Sequence, residues 1–270
     1  MKVSVLVDNS SEKNFSCEHG LSLYIESGEK KIIFDLGQSD IFLDSLKKLN
    51  GKIEDVDYIF ISHGHYDHMG GLLHLNHNLI REKVYISAYS IGTFYYKKFG
   101  VTKEISPSDL VISRAQMGHK VKNTRNIPVK IDENIYLLSI TKEKSQKNKF
   151  YKKYLDDILV DDFVHEIFLI LKEEGKYYIF TGCAHCNILE VIDRVKKIFN
   201  ITEIEGVIGG LHTRSKIYNL GQSSDFARNL KEKNVKQLIL GHCTGKLFRS
   251  YLRIKLKNVQ KLSVGKVFEI

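Results

Sequence analysis

Apolar positions alternate in short runs through the first third of the chain. Residues 2–7 (KVSVLV), 21–26 (LSLYIE) and 31–34 (KIIF) have the β-branched alternation of strands, and Ser-Gly-Glu-Lys at 27–30 supplies a hairpin turn. From 40 to 49, apolar residues at 41, 42, 43, 46 and 49 predict an amphipathic helix capped by Ser39 or Asp40. A buried strand, 57–62 (DYIFIS), then runs directly into His63. A helix is predicted from Gly70 and Gly71 through GGLLHLNHNLI, and a further strand at 83–88. The stretch 89–162 is rich in Lys, Ser and Asp and shows no clear period. It is expected to be a helix-and-loop insertion that covers the site.

Regularity returns after 163. IFLIL (167–171) and KYYIFT (176–181) read as a hairpin around Glu174-Gly175. A helix from Asn187, a strand at 206–208, a helix at 223–233, a strand at 237–240, a helix from Gly245 and a last strand in SVGKVFEI complete the pattern. Two groups of strands, each interleaved with helices, predict an α/β (α+β) chain. Its expected architecture is one domain, residues 1–270, in a four-layer αββα sandwich, with two mixed sheets face to face and helices on the outer faces.

Composition narrows the class only a little. At 270 residues the chain buries a core without staples. No apolar run is long enough for a membrane helix, and the first residues are too polar for a secretion signal, so a cytoplasmic protein with no membrane partner is expected. The net charge of +9 favours anionic partners. Cysteines stand at 17, 183, 186 and 243. In a cytoplasmic chain disulfides are not expected. Cys183 and Cys186 have the spacing of a redox pair or half a zinc knuckle, with no second CxxC to complete the latter.

The chemistry concentrates in His63-Gly64-His65-Tyr66-Asp67-His68-Met69-Gly70-Gly71. Imidazole and carboxylate are the groups that divalent zinc, iron and manganese accept, and Gly64 and Gly70 let the loop bend so that several side chains converge. His212 and His242 occupy the same kind of position, just past a short apolar strand. His212 is expected to contact substrate or transition state, and His19 is a candidate substrate contact. Thr244 and Gly245 precede a helix whose first N–H groups are suited to a phosphate, with Arg214 either assisting or merely solvated.

HxHxDH after a strand resembles the metallo-β-lactamase superfamily. Several strings narrow the resemblance to the branch of dihydropterin-methyl-ribofuranosylaminobenzene phosphate synthases: VDNS (7–10), CEHGLSLYIE (17–26), FDLGQS (34–39), SHGHYDHMGGL (62–72), TGCAHCNI (181–188), GGLHTR (209–214) and GHCTG (241–245). The resemblance implies that His63 and His65 serve one metal and Asp67 and His68 a second. It implies that His242 closes the second site and that Asp35 orients the histidine loop. Most of the superfamily has a bridging aspartate where Cys183 stands here. His185 is then the third histidine of the first site, and Cys183 either a small buried residue or a thiolate ligand. Glu166 is expected to orient a ligand histidine, while His165 reads as a bystander.

The function implied is a metal-dependent hydrolase or transferase acting on a small anionic substrate, phosphorylated and of pterin type. Zinc is the expected cofactor, as one or two ions, with manganese or iron the alternatives. Asp67 would ligate one ion and orient the nucleophile, and His212 would stabilise developing negative charge. A nuclease of the same fold and a non-catalytic metal or ligand sensor are the competing readings, and nucleic acid is not the expected partner.

Overall fold

The alternating runs become strands whose two faces meet different partners. The computed structural model describes residues 1–122, 127–140, 149–155, 157–213 and 220–270. Strands β1 (Lys2–Val7), β2 (Ser22–Ser27), β3 (Lys30–Phe34), β4 (Tyr58–Ile61) and β5 (Val84–Ser87) precede the hairpin β6 (Phe94–Lys98) and β7 (Val101–Glu104). The middle adds β8 (His119–Val121), β9 (Val129–Asp132), β10 (Ile135–Ser139), β11 (Phe150–Tyr154) and β12 (Asp157–Val160). Then follow β13 (Ile167–Glu173), β14 (Lys176–Thr181), β15 (Ile204–Gly209), β16 (Val235–Leu240), β17 (Val259–Lys261) and β18 (Val267–Glu269).

Two seven-stranded mixed sheets carry the fold, ordered β18-β1-β2-β3-β4-β5-β8 and β17-β16-β15-β14-β13-β10-β9. Period-two alternation divides their side chains. Val3, Val5, Leu23, Ile25, Ile32, Phe34 and Phe60 of the first sheet meet Leu137, Leu169, Leu171, Phe180, Ile208 and Ile239 of the second in one buried layer. The alternate residues point outward, Tyr24, Ile33, Ile59 and Ile61 on one side, and Phe168, Ile170, Ile179 and Val207 on the other. Helices α1 (Ile41–Lys48), α3 (His77–Lys83) and α4 (Asp109–Ala115) cover the first outer face, while α5 (Ile188–Phe199), α6 (Leu220–Glu232) and α7 (Lys246–Lys255) cover the second. The helix α2 (Tyr66–Met69) is a single turn within the histidine loop. This is the expected four-layer arrangement. Each fully buried Leu, Ile or Phe contributes about 1.5–3 kcal/mol to it. No helix among the described residues is long and apolar enough to cross a membrane.

Two elements differ from expectation. The helix read from Gly70 is broken: residues 70–74 form a 3-10 turn and α3 starts afresh at His77, where the Asn76 side chain accepts the Leu79 N–H at 2.8 Å. The break follows from packing, because a Cβ at Gly70 would lie 2.5 Å from the Gln38 carbonyl oxygen and one at Gly71 2.5 Å from that of Leu36. The segment 89–162 is not a helix-and-loop insertion. It gives β8, β9 and β10 to the large sheets and builds a separate four-stranded sheet, ordered β12-β11-β6-β7. The β6–β7 turn, Phe99-Gly100, has φ of +50° and +81°, the paired left-handed geometry of a two-residue hairpin.

Candidate metal centre

The central strands of both sheets run parallel, and their carboxyl ends open on one place. Asp35 follows β3, His63 follows β4, Cys183 and His185 follow β14, His212 follows β15 and His242 follows β16. Four residues at these ends, Asp35, Ala184, His212 and His242, hold positive φ between 43° and 62° without being glycine, so the chain turns sharply off each strand.

Two donor sets result. The rings of His63, His65 and His185 form a triangle with centroids 4.4, 5.1 and 5.1 Å apart. Beside it, His68 Nε2 lies 3.1 Å from His242 Nε2, and Asp67 Oδ2 lies 3.7 Å from the former and 3.4 Å from the latter. The sulfur of Cys183 is 3.4 Å from His68 Nε2. All of these residues are buried.

Hydrogen bonds fix which nitrogen of each ring is left to donate. Asp35 Oδ2 accepts from His68 Nδ1 at 2.7 Å and from the Ser62 hydroxyl at 2.7 Å, and Ser62 Oγ in turn takes the His63 Nδ1 proton at 2.9 Å. Asn9 Oδ1 accepts from His242 Nδ1 at 3.2 Å. The Nε2 lone pairs of His63, His68 and His242 therefore face inward. The Asn9 amide N–H reaches His19 Nδ1 at 3.2 Å, and His19 Nε2 donates to Asp67 Oδ2 at 3.2 Å. Burial holds His63 well below its usual range, and pushes His65 down to about 3, so both rings are neutral at pH 7. Burial alone would raise Asp67, but His68 and the hydrogen bonds from His19 and His242 hold it well below the usual carboxylate range. For His242 burial opposes charge, yet the Asp67 hydrogen bond and the charges around it push the ring up to about 9: the surroundings call for a cation. A divalent ion meets that demand. The buried His65 Nε2, which has no hydrogen-bond partner among the described residues, fits the same reading.

The expected supporting residues act, though not all as anticipated. Glu166 holds backbone rather than a ring: its two oxygens accept the N–H groups of His185 and Cys186, each at 2.9 Å, which fixes the loop carrying His185. His165 is no bystander. Its Nδ1 accepts the Gly64 N–H at 3.1 Å, so its Nε2 carries the proton donated to Asp161 at 3.1 Å. Thr244 is buried, its hydroxyl accepting the Leu211 N–H and its own N–H donating to the Gly241 carbonyl, each at 2.9 Å, and neither it nor Gly245 lines the cavity over the site. Arg214 lies outside the described residues. His19 and His212 do line that cavity, and His212 Nδ1 is buried without a hydrogen-bond partner among the described residues.

The cavity is about 380 Å³. Its floor is His65, Asp67, Cys183, His185, His212 and His242, and its wall comes from the small sheet. Tyr96 pairs with both Lys103 and Phe150 across the ladder, and Lys98 is two residues on from Tyr96, so these four side chains share one face. All four line the cavity, with Tyr66. Sequence reasoning missed Asp8, whose carboxylate takes the His242 N–H, and it missed Asn9, Asp161, Lys98 and Lys103. The alternation Phe94-Tyr96-Lys98 ahead of Phe99-Gly100 was the available signal for the last two.

Comparison with known proteins agrees with this architecture. A family model described as the metallo-beta-lactamase superfamily matches residues 16–91. An uncharacterized protein of Methanocaldococcus jannaschii is 31% identical over 99% of this chain and 100% of its own length. The 7,8-dihydropterin-6-methyl-4-(beta-D-ribofuranosyl)-aminobenzene-5'-phosphate synthase of the same organism is 26% identical over 100% of this chain and 96% of its own. The crystal structure of Tm1679, a metal-dependent hydrolase of the beta-lactamase superfamily, superposes with a TM-score of 0.84 at 24% identity, covering 100% of this chain and 99% of that one.

Proposed function

The chain belongs to the metallo-β-lactamase superfamily, and from that premise we propose that it is a metal-dependent hydrolase or transferase for a small, flat, anionic substrate. The observation that carries this reading is the cavity, which sets a floor of metal donors against a wall of Tyr66, Tyr96 and Phe150 with Lys98 and Lys103 beside them. Aromatic faces stack on a planar heterocycle, and two ammonium groups attract a phosphate. The relative with a pterin-related synthase name has a product that combines these two features.

His63, His65 and His185 would hold one divalent ion, zinc by preference of the nitrogen set, and Asp67, His68 and His242 a second. Such ions lower the pKa of bound water to about 7 and polarise a phosphoryl or ester oxygen. The chain's own side chains do the rest. Asp35 and Ser62 keep His68 and His63 turned inward. His19 holds Asp67 in place from the half-exposed side of the cavity. His212 offers a ring nitrogen to an oxygen that gains negative charge, and Lys98 and Lys103 bind the anionic end of the substrate.

The test is a panel. Protein loaded with zinc, manganese or iron is assayed on pterin diphosphates with an arylamine acceptor, on small phosphate esters, on lactones and on short RNA. Turnover is expected on a small anionic compound, with inorganic diphosphate competing in the millimolar range or better, about 4 kcal/mol of binding or more. Efficient cleavage of RNA with no turnover of small anions would overturn the proposal in favour of a nuclease.

A further inference from the structure

Three of the four cysteines are buried, and they differ in what their sulfurs touch. The Cys186 sulfur lies 2.9 Å from the Ile140 carbonyl within the apolar cluster under α5, the setting of an ordinary structural thiol. The Cys243 sulfur receives the His212 N–H at 3.1 Å and, with His212 and Cys183, forms a group whose donor atoms lie within 4.8 Å of one another. The Cys183 sulfur reaches further, among the imidazole nitrogens of both donor sets. It lies within 4.8 Å of donor atoms of His63 and His185, and equally within 4.8 Å of donor atoms of His68 and His242.

No other described side chain belongs to both sets. The placement is built into the backbone. A Cβ at Gly182 would lie 2.1 Å from Ser62 Oγ and 3.1 Å from Asp35 Oδ2, so only glycine lets the end of β14 press against the residues that orient His63 and His68. Ala184 at φ +53° then turns the chain away, leaving Cys183 between the donor sets and 3% exposed. Position 183 is thus held in the middle by constraints on both of its neighbours.

We propose that Cys183 supplies a thiolate shared by the two metal positions, in place of a carboxylate bridge. The proposal rests on the metal-dependent reading above and goes beyond it, because it names the ligand that joins the two donor sets. A thiolate buried at this position needs positive charge beside it, and divalent ions held by the two donor sets would supply it. Sulfur is also a soft ligand, so the joined site selects zinc, iron(II) or cobalt(II) over magnesium and manganese.

Cobalt(II) makes the test optical. The protein is stripped with chelator, reloaded with cobalt(II), and read for metal content and for thiolate-to-cobalt charge-transfer absorption in the near ultraviolet. Wild type, Cys183→Ser, Cys183→Asp and Cys243→Ser are compared, with circular dichroism to verify folding. The charge-transfer band is expected in wild type and in Cys243→Ser. In Cys183→Ser the band disappears and metal content falls by about half, since His63, His65 and His185 still suffice for one ion. Cys183→Asp is expected to recover the metal content without the band. A full band in Cys183→Ser, or a band lost in Cys243→Ser and kept in Cys183→Ser, overturns the assignment while leaving a metal enzyme. Wild type that takes up no cobalt sinks the metal-dependent function itself.

Discussion

The floor and the wall of the cavity are built on different terms. The floor is a set of buried side chains gathered at the ends of parallel strands, several of them held by hydrogen bonds from behind: Asp35 and Ser62 behind His68 and His63, Asn9 behind His242, Glu166 behind the His185 backbone. The wall is one face of a four-stranded antiparallel sheet whose Lys98 and Lys103 are exposed and whose turn projects Phe99 at 93% exposure. Geometry on the floor is over-determined, and geometry on the wall is set by a ladder and a turn. The contrast teaches where the proposed function divides: the floor would carry the chemistry, and the wall would set what is accepted.

The sharpest break of that separation is on the floor. His63→Ala and His65→Ala are each expected to lose bound metal and to lower turnover by on the order of a thousandfold or more, with the fold retained. Metal content and circular dichroism of the purified variants check this, and wild-type metal in either variant would remove it as a ligand. One step behind, Asp35→Asn leaves every ligand in place but loses the carboxylate that orients two of them. Metal affinity is expected to drop about 10–100-fold, measured by chelator competition. An unchanged affinity would mean that the floor does not depend on its backing.

The wall predicts a different pattern. Lys98→Gln combined with Lys103→Gln should raise KM for an anionic substrate, and Ki for diphosphate, by roughly 5–10-fold each while metal content stays at wild type, about 1 kcal/mol of lost attraction. A fall in metal content would show that floor and wall are coupled after all. The smallest effect lies outside both regions. Asp132 takes hydrogen bonds from Tyr58 at 2.7 Å and an ion pair from Lys30 at 3.0 Å, and these hold its carboxyl down to about 2. A depressed carboxylate stabilises above its ordinary pKa, and the contribution fades as pH falls toward about 2. Asp132→Asn is therefore expected to be slightly less stable than wild type at pH 7, with the difference vanishing near pH 2 in urea titrations. Activity is unchanged.

The floor was largely legible because metal chemistry is written in contiguous letters. HGHYDH after an apolar strand identifies the loop, and the resemblance supplied Asp35, His185 and His242, which the structure brings to the same place. Where reading failed, the reason was physical. Thr244 has the sequence position for an anion cradle, and its N–H donates instead to the Gly241 carbonyl. For Cys183 the sequence leaves a small buried residue and a thiolate ligand both open, since nothing in TGCAHC reveals that its sulfur lies between two donor sets brought together by long-range strand pairing. Asn9 is an exposed-looking polar residue in the sequence, and its two-sided role between His242 and His19 exists only once β1 lies beside them. The wall was hardly legible beyond the turn at Phe99-Gly100. Its short strands, FYYKK, VTKE, FYKKY and DILV, lack a steady alternation of apolar with polar, because one face looks into a cavity and not into a core.

Among the described residues, none of the four strands of the small sheet pairs with either large sheet. Its ladder is its own. Positions 96, 98 and 103 therefore take part in no strand pairing of the two large sheets, whereas Phe94 and Phe150 of the same small sheet pack on the His65 ring. On the proposed function, a handful of changes on this single face would let a relative accept a different substrate while keeping the same reaction. The same property makes that face a natural place to graft a new specificity onto an old reaction.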